Sequence, residues 1–287
     1  MFAGIRQIRV KDEFNNIAFP VLVQYPTGIP SAPAAVGPYM MDISRDAPIT
    51  EGAFPLILIS HGNGGSYLLY RTISTHLAKN GYVVAMPEHH GNNTNGNELE
   101  GTDKNLTYRT RHLRLTMDAV SNDPRFKPGL RPDNVAIIGH SIGGCTALAM
   151  AGGIPGSRDR RSIEVESDPR VRALVLLAPA TDWYLADNSL RNVKVPILMF
   201  FAGKDQLVLH CRPEVVLNGV ADASQVTFKV IENAGHFSFI SPFPPHMTNP
   251  GFPPSVDPEG FDRGKFHEEL PGEIREYLDK NLTENFF

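Results

Sequence analysis

Gly139-His140-Ser141-Ile142-Gly143-Gly144 lies between a β-branched run, Asn134-Val135-Ala136-Ile137-Ile138, and the small residues from Cys145 to Ala151. The first run reads as a buried parallel strand. The second is compatible with a helix. Strand, G-x-S-x-G and helix together read as a nucleophile elbow. Side chains two residues either side of Ser141 would collide in so tight a turn. Glycine at both places removes the clash and lets the serine take a strained backbone conformation. Gly144 leaves room for the helix to close on the sheet. The Ser141 hydroxyl then stands at a helix N-terminus, where partial positive charge favours a developing oxyanion. The bland alternative is a glycine-rich turn of some other α/β protein, and the residues downstream weigh against it.

Working outward, Phe54 to Ser60 forms a buried strand that ends in His61-Gly62-Asn63-Gly64-Gly65. Leu68, Leu69, Ile73 and Leu77 recur at helical spacing over 67–79, and Asn80-Gly81 is a fitting stop. Residues 82–86 give the next strand and 88–104 a polar loop. Leu106, Leu113, Met117 and Val120 mark one face of a second helix, with Arg109, Arg111 and Arg114 expected on its other face. Strands follow at 171–177, 196–202 and 226–231, then a helix over about 264–282 that Pro271 interrupts. Residues 4–10 and 17–24 alternate as a hairpin, whereas 26–52 has no period and reads as a surface-draped loop. The pattern predicts an α/β fold: a mainly parallel sheet, an N-terminal antiparallel hairpin, and helices on both faces. One domain over 1–287 is expected, with 1–52 as hairpin and loop and 241–263 as a Pro-rich loop.

Composition narrows the partners. Net charge is −4 with no basic run, which argues against nucleic acid. No apolar stretch follows Met1 to Arg6 and none reaches membrane-spanning length, so a cytoplasmic protein without a membrane span is expected. Cys145 falls in the helix after the elbow as a small buried residue, and Cys211 follows a strand end. A reduced setting is the simplest reading. A homo-oligomer stays open.

A serine hydroxyl needs a base, and the resulting imidazolium needs an oriented anion. Residues of those types follow in the order serine, acid, histidine. Asp205 comes just past a strand, after Gly203, and His236 follows the last strand in Asn233-Ala234-Gly235-His236-Phe237. Both fall at the edge where open parallel sheets hold their sites. Asp182, beyond the strand after the elbow helix, is the rival acid. The backbone N–H groups of Asn63 and Ile142 are the candidate oxyanion hole. His61 and His140 are read as loop-bracing residues. His89 and His90 beside Glu88 lack further spaced ligands for a metal site, and no metal or cofactor is expected.

Leu56 to Gly65, Gly81 to His89 and Gly139 to Gly144 resemble the α/β-hydrolase superfamily, most closely its dienelactone hydrolase-like proteins and platelet-activating-factor acetylhydrolases. The early hairpin and Gly37-Pro38-Tyr39 share the likeness, which runs from about residue 5 to His236. The resemblance implies a serine hydrolase acting on small-molecule acyl substrates without a cofactor. Two departures stand. Dienelactone hydrolases use cysteine where this chain has Ser141, and the acetylhydrolases take their acid near Ala178, which is not acidic here.

The short stretch between Pro179 and Val195 leaves little room for a cap. Trp183, Tyr184, Phe237, Phe239 and Phe243 are candidate pocket aromatics, or else they pack loops onto the sheet. The 241–263 segment reads as a lid or partner surface, and 88–104 as a second pocket wall. A carboxylic-ester hydrolase working through an acyl-enzyme is the leading reading. An amidase or peptidase with the same residues is the alternative, decided by paired ester and amide substrates. A non-catalytic binding protein is the remote one, decided by whether a fluorophosphonate labels Ser141.

Overall fold

A computed structural model describes residues 1–157, 159, 161–208 and 213–283. Cys211 lies outside the described residues. Ten strands form one sheet in the order β10-β9-β8-β7-β5-β6-β2-β1-β4-β3. Its parallel half comprises β5 (Phe54–Ser60), β6 (Val83–Pro87), β7 (Leu130–His140), β8 (Val171–Leu177), β9 (Ile197–Ala202) and β10 (Val226–Ile231). The N-terminal half adds β1 (Phe2–Asp12), β2 (Ile17–Thr27), β3 (Ala32–Val36) and β4 (Tyr39–Arg45). The hairpin β1–β2 is antiparallel and joins the parallel half through an antiparallel β2–β6 pair.

Alternation along the central strands divides the core between two faces. Leu56, Leu58, Val135 and Ile137 pack beneath α2 (Asp103–Asn122) and α3 (Ile142–Met150). Ile57, Ile59, Ala136 and Ile138 pack beneath α1 (Arg71–Lys79) and α5 (Arg263–Leu278). A short helix, α4 (Pro213–Gly219), precedes the edge strand β10. Side chains buried on both faces explain the continuous apolar runs of β5 and β7.

Three expectations need correction. Residues 26–52 are not a loop throughout. They contain β3 and β4, joined at Gly37 (φ 57°) and attached to β1 through a parallel pair, Gly4 with Ser44 and Ile5 with Arg45. Tyr39, Met41 and Ile43 are buried between exposed Met40 and Asp42, a period of two that the Pro/Ala-rich surroundings obscure. Pro33 is tolerated because β3 is the sheet's edge, where a missing N–H is not needed by a neighbour. Pro271 does not interrupt the last helix. The α5 helix runs through it, its flanking Leu270, Ile274 and Leu278 buried against the sheet. Tertiary burial outweighs the roughly 3 kcal/mol cost of an internal proline.

The third correction concerns α2. Arg111 and Arg114 do reach outward, to Asp12 and Glu166. Arg109 is completely buried. It falls three residues after Leu106 and four before Leu113, so helical spacing itself puts it on the apolar stripe. Among the described residues, no helix is long and apolar enough to cross a membrane.

Candidate active site

Ser141 sits between β7 and α3 with φ 56° and ψ −123°, a strained conformation held from both sides. Its N–H donates to the Leu177 carbonyl at 3.0 Å, and its own carbonyl accepts from Gly144 at 2.9 Å and Ala180 at 3.0 Å. A Cβ on Gly139 would stand 2.2 Å from the Gly143 carbonyl oxygen. One on Gly143 would stand 2.0 Å from that of Ser60. Backbone meets backbone here, so neither glycine can be replaced without moving a strand or the helix. A Cβ on Gly144 would meet Pro179 at 2.6 Å, which is the close approach anticipated for that residue.

Asp205 and His236 come together from separate loops. His236 Nδ1 lies 2.7 Å from Asp205 Oδ2, with both side chains nearly buried. The other carboxylate oxygen, Oδ1, accepts the N–H groups of Leu207 at 2.9 Å and Val208 at 3.0 Å. Burial pushes the Asp205 carboxyl up, but the His236 ring N–H and the two amides outweigh it, leaving a net lowering. The carboxylate therefore holds the His236 Nδ1 proton and leaves Nε2 as the free basic position. Gly203 and Lys204 donate to the carbonyls of Ile231 and Ala234, which fastens the acid loop to the histidine loop. Asp182 lies elsewhere, on an exposed turn at the cavity rim.

His140 lies between the histidine loop and Tyr70. Its Nε2 lies 2.9 Å from the His236 carbonyl and its Nδ1 2.9 Å from the Tyr70 hydroxyl. A carbonyl only accepts, so Nε2 carries the proton and Nδ1 accepts from Tyr70. The Tyr70 oxygen in turn accepts the Gly62 N–H at 3.3 Å. Burial, followed by the nearby His236, pushes the His140 pKa down to about 3, so the ring stays neutral. Its bracing place matches the expectation.

Ser141, His236, Asn63, Ile142, Asp182, Trp183 and Phe237 all line one cavity of about 720 Å³. Asp205 stands behind His236. The remaining wall is largely apolar, including Tyr39, Leu68, Leu69, Phe243 and Phe252. Two candidate pocket residues do not belong to it. Tyr184 is buried under the elbow helix, its hydroxyl donating to the Cys145 carbonyl at 2.7 Å. Phe239 is fully buried among Phe200, Phe266 and His140. Both sit on the inward side of a 3₁₀ turn whose neighbour, Trp183 or Phe237, faces the cavity.

The 241–263 segment has two jobs. Phe243, Met247, Phe252 and Pro254 line the cavity, while its far end buttresses the histidine loop. There Ser238 Oγ accepts the Gly235 N–H and donates to Asp257, which is paired with Arg263. Thr94 and Glu100, from the 88–104 loop, form another part of the wall. Glu88 is buried just behind, bonded to Ser66 at 3.4 Å. Desolvation raises its pKa to about 7. His89 is engaged with Ser60 and His112, and the described residues hold no cluster of three or more His, Cys, Asp or Glu able to bind a metal ion.

The fold is shared with solved structures. A ferulic acid esterase from Streptomyces cinnamoneus superposes with a TM-score of 0.70 at 17% identity, covering 98% of this chain and 90% of that one. The chain has the α/β-hydrolase fold. A dienelactone hydrolase from Anabaena variabilis superposes with a TM-score of 0.62 at 17% identity, over 98% of this chain and all (100%) of that one. The dienelactone hydrolase-like promiscuous phosphotriesterase P91 from metagenomic libraries gives 0.65 at 14% identity, over 98% and 99%. The family model for platelet-activating factor acetylhydrolase, isoform II, matches residues 31–105. That stretch contains β3 through the Gly62–Gly65 turn and the 88–104 loop.

Sequence reading missed Tyr70 and Arg109, which bond to the Gly62 backbone, and Asn92, which bonds to Arg109. Only Arg109 carried a signal, its place on the apolar stripe of α2.

Proposed function

We propose that this chain, as a single hydrolase-fold domain, cleaves carboxylic esters of small molecules through an acyl-enzyme. The observation that carries the reading is the 2.7 Å His236–Asp205 pair beside a serine held at φ 56° on the same cavity. His236 Nε2 takes the proton of Ser141 Oγ as that oxygen attacks the ester carbonyl. The backbone N–H groups of Asn63 and Ile142 receive the oxyanion. His236 then returns the proton to the departing alcohol, and water repeats the sequence on the acyl-enzyme. The mainly apolar wall suits an apolar acyl or alcohol portion. The names borne by the similar structures, an esterase and a dienelactone hydrolase, support an ester over an amide.

A fluorophosphonate should label Ser141, and p-nitrophenyl esters of increasing acyl length should be turned over. Ser141→Ala should lose label and lower turnover by about 10⁴–10⁶-fold with its melting temperature kept. Undiminished ester hydrolysis by that variant would refute the reading.

A further inference from the structure

Arg109 is fully buried, yet it forms no ion pair with a carboxylate among the described residues. Its guanidinium instead spends its donors on backbone and amide oxygens. Nη1 reaches the His61 carbonyl at 2.7 Å, Nη2 the Gly62 carbonyl at 3.2 Å, and Nε the Asn92 Oδ1 at 2.8 Å. Longer contacts go to Ser60 Oγ at 3.4 Å and the Asn92 carbonyl at 3.5 Å. A buried cation without a counter-ion is costly, and an apolar residue of similar volume would fill the space at lower cost. Burial lowers its pKa only to about 9, so it keeps its charge at neutral pH.

The Gly62 carbonyl receives three donors. Besides Arg109, the Gly65 N–H approaches at 3.1 Å and His61 Nδ1 at 2.8 Å. The His61 proton can be assigned, because its Nε2 accepts the His89 N–H at 3.1 Å. Nδ1 must then carry the hydrogen. That carbonyl belongs to the same planar unit as the Asn63 N–H, and no peptide bond here is cis. In a trans peptide the two groups point in opposite directions. Pinning the oxygen toward Arg109 therefore turns the N–H the other way. Asn63 lines the Ser141 cavity, and its N–H donates to no protein acceptor among the described residues. Hydrogen bonds to an amide oxygen also polarise the amide and strengthen its N–H as a donor.

We propose that Arg109, assisted by His61, is the positioning residue of the oxyanion hole, holding and polarising the Gly62–Asn63 peptide so that its N–H meets the negative charge of the transition state. The proposal rests on the serine-hydrolase reading above. Its effect grows with charge on the substrate oxygen, so it acts on kcat and not on ground-state binding.

The test compares wild type, Arg109→Lys and Arg109→Met with p-nitrophenyl butyrate, an alkyl trifluoromethyl ketone and the matching methyl ketone. Arg109→Met is expected to lower kcat by about 10²–10³-fold with KM within about threefold, and Arg109→Lys by about 10-fold. Trifluoromethyl ketone affinity should fall in parallel while the methyl ketone binds as before. A folded Arg109→Met with near-wild-type kcat, or a kcat loss without loss of trifluoromethyl ketone affinity, overturns the proposal. Should Arg109→Met fail to fold, unchanged kcat in Arg109→Lys overturns it equally. A wild type inert to both ester and fluorophosphonate refutes the hydrolase reading itself. The Asn63 amide proton resonance then still decides: it should move upfield in Arg109→Lys, and an unmoved resonance sinks the proposal.

Discussion

The cavity at Ser141 has two halves of unlike construction. The serine half is built on β5, β7 and α3, whose residues beside the turn are buried, and its parts touch backbone to backbone at Gly139 and Gly143. The histidine half hangs from β9 and from β10, an edge strand whose residues 227–230 are all exposed. Its alignment comes from hydrogen bonds between loops: Gly203 and Lys204 to the histidine loop, Ser238 to Asp257, and His236 to Asp205. His140 and Tyr70 join the halves. Close packing makes the first half intolerant of any added atom. The second half depends on hydrogen bonds between loops, and it should fail chemically before it fails structurally.

The sharpest way to break this comparison is to exchange the two candidate acids. Asp205→Asn should lower ester turnover by about 10³–10⁴-fold with little change in stability, because the amide no longer holds the His236 proton on Nδ1. Asp182→Asn should stay within about threefold of wild type. Steady-state kinetics on both variants would expose a wrong assignment if the effects were reversed.

Glycine replacements probe rigidity on each side. Gly143→Ala, whose Cβ would stand 2.0 Å from a strand carbonyl, should cost about 3–5 kcal/mol in urea unfolding. Gly235→Ala places its Cβ 2.9 Å from the Pro258 ring, a side chain and not a strand carbonyl. It should cost about 1 kcal/mol or less. Equal costs would erase the distinction drawn here.

A further effect concerns Glu88, buried behind the cavity wall. Its folded-state pKa of about 7 lies above the ordinary 4.5, so the folded state favours the protonated acid. That stabilising contribution is complete below about pH 4.5 and is lost as pH rises through about 7. Glu88→Gln keeps a neutral group. It should be more stable than wild type at pH 8 by roughly 1–3 kcal/mol and no more stable at pH 4.5. Unfolding curves at the two pH values check the sign.

Local patterns determined a good deal by themselves. The strand, G-x-S-x-G and helix succession follows from short-range sterics: only glycine fits beside a serine turned this sharply. Apolar runs identified β5, β7 and β8, and the succession of strand ends located Asp205 and His236 on one sheet edge. Tertiary structure alone decided the rest. Whether Asp205 or Asp182 meets His236 depends on how two loops far apart in sequence fold over the edge. Which aromatic of a pair, Trp183 or Tyr184, Phe237 or Phe239, faces the cavity depends on the phase of a 3₁₀ turn too short to show a period. Arg109 looked like a surface charge because its type outweighed its spacing, and only the carbonyls of His61 and Gly62 explain a cation in the core. Sequence carries short-range geometry. Partners drawn from different elements are chosen by packing, and packing has no short-range signature.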